Sequence, residues 1–151
     1  MALNCPPTTL YSFEAVACTI NKRPVVGFWE GDDAIKVERP NDLGEVTTGA
    51  DGASVVNITA SETATVTLML MPNSAMNSYL EQTVKAMRMG SQRLIEIDIR
   101  DSTTGEGGGC TSSIIIKEPE KSYGAKSNSR AWVFHCGCWR ENDIIYAPVA
   151  A

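Results

Sequence analysis

Apolar residues in this chain recur at every second position over most of its length, and that period confines it to a sheet-based fold. Tyr11, Phe13, Ala15 and Ala17 share one face, and Val25 to Trp29 form a short apolar run. Val56, Ile58 and Ala60 alternate with Val55, Asn57 and Thr59. After a Ser61-Glu62-Thr63 turn, Ala64, Val66, Leu68 and Leu70 alternate with Thr65, Thr67 and Met69. Ile95, Ile97 and Ile99 face one way, with Leu94, Glu96, Asp98 and Arg100 opposite. A Thr104 to Gly109 loop leads into Cys110 to Lys117, and Ala131 to Trp139 and Ile144 to Tyr146 finish the series.

One segment breaks the alternation. From Asn73 to Met89 the residues Met76, Tyr79, Leu80, Val84 and Met87 recur at three and four, with Pro72 before and Gly90 after, so one amphipathic helix is expected over 73–89. Lys85 and Arg88 in its last turn suit the negative end of the helix dipole. Its Met and Tyr stripe reads as core.

Residues 34–52 read as a long β-hairpin arm with little to bury. Ile35, Val37 and Val46 alternate with polar neighbours around a Pro40-Asn41-Asp42-Leu43-Gly44 turn, and Gly49, Asp51 and Gly52 close the unit. A lone hairpin is marginal in water, so this one leans on its own domain or on another copy of the chain. The expected architecture is mainly β: a single domain over 1–151, an antiparallel β-sandwich or partial barrel with one flanking helix and the arm.

Composition narrows the function classes. A net charge of −5 disfavours a protein built to grip nucleic acid, which needs clustered Lys and Arg. No apolar run approaches a spanning helix, and MALNCPPTTLYSF lacks the basic and apolar regions of a secretory signal. Cys5, Cys18, Cys110, Cys136 and Cys138 are an odd number of thiols, so if disulfides form, one thiol stays free or pairs with another subunit. Cys136 and Cys138 stand on the same strand face about 6 to 7 Å apart, too far to bond each other, so each needs a partner elsewhere.

Chemistry is sparsely signalled. The single histidine, His135, lies within Trp132-Val133-Phe134-His135-Cys136 and reads as a strand residue, with no nucleophile motif around it. His135 points away from Cys136 and Cys138, and no second close Cys or His pair follows, which argues against zinc. Glu96, Asp98 and Asp101 read as the wet face of a sheet. The GEGGG loop lacks the Lys-Ser or Lys-Thr of a phosphate cradle. No enzyme, metal or cofactor is expected.

Order and motifs together carry a resemblance. Tyr11-Ser12-Phe13, the polar hairpin into Gly49-Ala50-Asp51-Gly52, Leu68 to Ser74, the helix, Lys117-Glu118-Pro119 and Trp132-Val133-Phe134 resemble tail tube proteins of contractile-tailed bacteriophages over about residues 11–147. Type VI secretion and contractile bacteriocins have related tubes. The resemblance implies a structural virion protein whose hexameric rings stack into a hollow conduit for DNA ejection. It further implies a sheath outside, terminator and baseplate proteins at the ends, and assembly in the host cytoplasm.

On that plan Glu96 and Asp98 are candidates for an acidic lumen wall that DNA passes without sticking, and the arm's tip reaches the neighbouring ring. The cysteines, which a typical tube protein does not need, become rivets between subunits. The alternative is a non-enzymatic β-sandwich that binds a glycan or receptor on a virion, with Trp29, Trp132 and Trp139 as its aromatic platform.

Overall fold

The computed structural model describes residues 8 and 10–142. Cys5 and the expected strand at 144–146 lie outside them.

The alternating residues pair as antiparallel strands. The strands are β1 (Val16–Ile20), β2 (Arg23–Pro24), β3 (Ile35–Glu38), β4 (Gly44–Thr48), β5 (Ser54–Ile58), β6 (Ala64–Leu70), β7 (Ile95–Asp101), β8 (Gly107–Lys117), β9 (Arg130–Cys136) and β10 (Arg140–Glu141). One sheet runs in the order β2-β1-β7-β8-β9-β6-β3, with β10 added along β8. Its inward residues Ile20, Val66, Leu68, Leu70, Ile95, Ile97, Trp132 and Phe134 are buried. Burial of these branched and aromatic side chains, each contributing about 1.5–3 kcal/mol, drives the fold.

The helix α1 (Ala75–Arg88) lies on that inward face through Met76, Leu80, Thr83 and Val84. Ser74 caps it: its Oγ accepts from the Met76 amide at 3.3 Å and donates to the Val26 carbonyl at 2.5 Å. Two further polar contacts hold the helix to the sheet. Trp132 Nε1 donates to Asn77 Oδ1 at 2.9 Å, and Asn21, in the left-handed turn between β1 and β2, donates to the Tyr79 hydroxyl at 2.9 Å.

The expected arm over 34–52 is not one hairpin. Ile35 and Val37 pair with Leu68 and Val66, so β3 extends the main sheet, whereas β4 pairs with β5 as a separate two-stranded unit. Two physical reasons decide this. β3 offers apolar residues that continue the buried face of β6, and the residues best suited to a tight reversal are 49–52 rather than 40–44. Gly52 has φ +90°, the Gly52 amide donates to the Gly49 carbonyl, and Asp51 Oδ1 accepts from the Ala53 amide. Pro40 to Leu43 become the crossing between sheets. The projecting arm is therefore 44–58, with Gly49, Asp51 and Gly52 at its tip and Gly44 at its root.

Three further details differ from the expectation. Phe13–Ala15 form a 3-10 turn capped by Ser12, and only Val16 onward is strand. The Val56 strand does not double back onto β6, since the two belong to different sheets. The glycine loop joins β8: a side chain on Gly108 would meet the Trp139 indole at 2.8 Å, and one on Gly107 would overlap the Ile99 carbonyl. Those glycines allow close packing of strands.

Candidate functional site

The arm is the most unusual surface of the chain. Across its ladder Val46 faces Val56 and Gly44 faces Ile58, so these residues share one face of the two-stranded unit. They are 61%, 59% and 76% exposed for Val46, Val56 and Ile58, and Leu43 at the root is also exposed. None of them joins the core. Isolated exposed apolar residues are ordinary, but a contiguous row on a hairpin makes this face a candidate contact surface.

On the outward face of the main sheet, Glu96 and Asp98 are exposed as expected, with Thr19 and Gly109 flanking Asp98 in register. Arg100 shares that face, and Lys36 and Glu38 stand on its far border with their charges 3.9 Å apart. Between them lie Thr65, Thr67, Val133 and His135, all half-buried. That face is therefore mildly acidic. Asp101, grouped with the two acids by sequence, turns away and lines a cleft instead.

That cleft, about 610 Å³, opens where the two ends of the curved sheet face each other without closing a barrel. Val16 and Ile99 line one side, Ala34, Ile35 and Val37 the other, and Trp139 a third. Arg39 bridges it, donating to the Trp139 carbonyl at 3.0 Å with Glu141 3.8 Å away. His135 and Cys136 are not among its lining residues, and among the described residues no cluster of His, Cys, Asp and Glu could hold a metal ion.

The thiols are placed mainly inward. Cys18, Cys110 and Cys136 are buried and unbonded, so they do not offer themselves to a neighbouring subunit as rivets. A bulge in β8 turns both Cys110 and Ser113 toward the core, and Ser113 Oγ lies 3.2 Å from Cys136 Sγ. Burial, with Asp98 nearby, pushes the Cys18 thiol up to about 12, and burial pushes Cys136 up to about 11. Cys138 is half-exposed; its thiol donates to Glu62 at 3.1 Å and accepts from Arg140 Nε at 3.4 Å.

These shifts have a sign. A folded-state pKa above the usual 9.0 means the native chain holds its thiol protons more tightly than the unfolded chain. The associated stability is fully present below about pH 9 and is lost as pH rises toward 11 and 12. Denaturant midpoints should accordingly fall between pH 9 and 11, and native alkylation should label Cys138 while sparing Cys18 and Cys136. Rapid native labelling of Cys18 would contradict the burial.

The tryptophans divide differently from an aromatic platform. Trp132 and Trp139 are buried and Trp29 is half-buried beside the cleft. The sequence also missed the exposed valine row, because Val46, Val56 and Ile58 align only once the β4–β5 register is known. Among the described residues no helix is long and apolar enough to cross a membrane.

The fold recurs in known assemblies. The chain is similar to the anti-feeding prophage cap, a tube terminating cap, at 11% identity with a TM-score of 0.61, covering 94% of each chain. It is similar to the PVC sheath/tube terminator, in its extended state, of an extracellular contractile injection system at 9% identity and TM-score 0.64, covering 94% of this chain and 100% of that one. No curated protein matches. A family model described as bacteriophage PhiTE tail tube protein matches residues 8–142, nearly the whole chain, and with the open β fold and lone helix this establishes that the chain belongs to that tail tube family.

Proposed function

We propose that this chain is the repeating subunit of a phage tail tube: rings of it, six subunits each, stack into the conduit through which DNA leaves the particle. The observation that carries the proposal is the arm 44–58, which presents Val46, Val56 and Ile58 to solvent and so gains by burying them against another subunit. Membership of the tail tube family supports the same reading. The outward sheet face, with Glu96 and Asp98, is our candidate for the channel wall, where mild like-charge repulsion keeps DNA from adhering. A sheath outside and terminator and baseplate proteins at the ends complete the proposed set of partners, and assembly takes place in the host cytoplasm. The role is structural, without catalysis.

A second reading has its own support. Both structural neighbours described above end tubes rather than build them, so a ring that closes a tube is the competitor. The glycan- or receptor-binding alternative loses its aromatic platform with Trp132 and Trp139 buried.

Electron microscopy of the purified chain separates these readings. Long tubes are expected, and their reconstruction should place Glu96 and Asp98 on the channel wall. Single unstacked rings would favour the terminator, and monomers alone would remove both.

A further inference from the structure

The arm's charge is one-sided. From Pro40 to Val84 there is no Lys or Arg, while Asp42, Glu45, Asp51 and Glu62 fall within or beside the hairpin. An acidic rim around an apolar face calls for a receptor that is apolar within and basic at its edge.

The same molecule carries such a surface elsewhere. A groove of about 350 Å³ runs between the last turns of α1 and the end of β8, lined by Val84, Met87, Ile115 and Ile116 with Arg88 and Lys117 at the side. Ile116 in its lining is exposed, as is Met89 directly after Arg88. Arg88 is engaged by Glu118 at 2.8 Å, but Lys85, Arg93 and Lys117 are exposed and have no acidic partner within the described residues.

The arm does not occupy the groove of its own chain, since Val46, Val56 and Ile58 on the one and Ile116 in the other are all exposed. Its root follows Glu38, which pairs with Thr65 of β6, whereas the groove lies along β8, where Ile115 and Lys117 pair with Phe134 and Val133 of β9. Three strand spacings, from β3 across β6 and β9 to β8, separate the two by ~14 Å at about 4.8 Å each. With both surfaces unfilled within the chain, the contact falls to a second copy. Unlike surfaces that meet in this way are heterologous, so each subunit offers an arm to one neighbour and a groove to another, and the contact propagates.

Resting on the tube reading above, we infer that the groove between α1 and β8 is the receptor for the arm of a second copy, with Val46, Val56 and Ile58 seated in it and Lys85 and Lys117 facing Asp42 and Glu45. Ile116 and Met89 are covered in the assembly and exposed only in the free subunit.

Charge exchange tests this. One full-length variant carries Lys85→Glu and Lys117→Glu, a second carries Asp42→Lys and Glu45→Lys, and a third carries all four. Tube length in negative stain and sedimentation are read beside circular dichroism, which reports folding. Each two-site variant should lose tubes while keeping its fold, and the four-site variant should regain them, since the pairing is restored with its signs exchanged. Wild-type tubes that persist in both two-site variants would overturn the contact and leave the tube reading standing. A folded four-site variant no better than the worse parent would also overturn it. A wild-type chain that forms neither rings nor tubes would overturn the tube reading and this contact with it.

Discussion

Replacing residues 44–58 by a two-residue Asn-Gly link should yield a folded subunit that no longer assembles. The geometry allows the excision, because the Thr59 amide donates to the Leu43 carbonyl at 2.9 Å and the two cut ends already lie side by side. No residue of the arm belongs to the buried core, so the unfolding midpoint should shift little, within roughly 0.5 kcal/mol of the parent. Assembly should vanish, because the exposed valines and Ile58 are the apolar area the subunit holds in reserve. Sedimentation as a single small species with an unchanged circular dichroism spectrum is the expected result. Tubes of ordinary length would show that the arm does not join subunits.

The second large effect is on stability. Trp132→Ala should cost about 3–5 kcal/mol, a substantial part of the 5–15 kcal/mol typical of a domain, and lower the melting temperature by roughly 10 °C or more. Trp132 is fully buried opposite Leu68, and its indole also holds Asn77 at the start of α1. Alanine would leave both a cavity and an unmatched amide oxygen. Trp132→Phe should recover most of the packing but not the hydrogen bond, and so fall between. The measurement is chemical unfolding of the subunit. A loss below 1 kcal/mol for the alanine variant would mean that the helix is held to the sheet elsewhere.

Much of this molecule can be read from residue order, and the unread part has specific causes. The strands around Val66, Ile97 and Phe134 and the helix from Ala75 are legible because each has a buried face of fixed period. Pairing between distant strands leaves no local mark. Nothing near Ile35 announces that its partner is Leu68 rather than Val46, so residue order alone puts the arm at 34–52 instead of 44–58, although its turn glycines and its weak core are plain. The β8 bulge, which brings Cys110 and Ser113 to one side, likewise exists only relative to β7. The groove beside α1 joins residues of the helix to residues of a strand some thirty positions later, and no motif records such a meeting.

The strand order has a consequence for how the subunit comes into being. β1 must find β7, and β6 must find β9, each across more than half a hundred residues, so the main sheet closes large loops and forms late, in the millisecond-to-second range for such topologies. The β4–β5 ladder joins residues only a few positions apart and forms in about 1–10 μs. The arm is thus shaped well before the groove that we assign to it, which requires α1 and β8 already in place. An unfinished chain can present the plug but not the socket, and polymerisation waits for completed subunits.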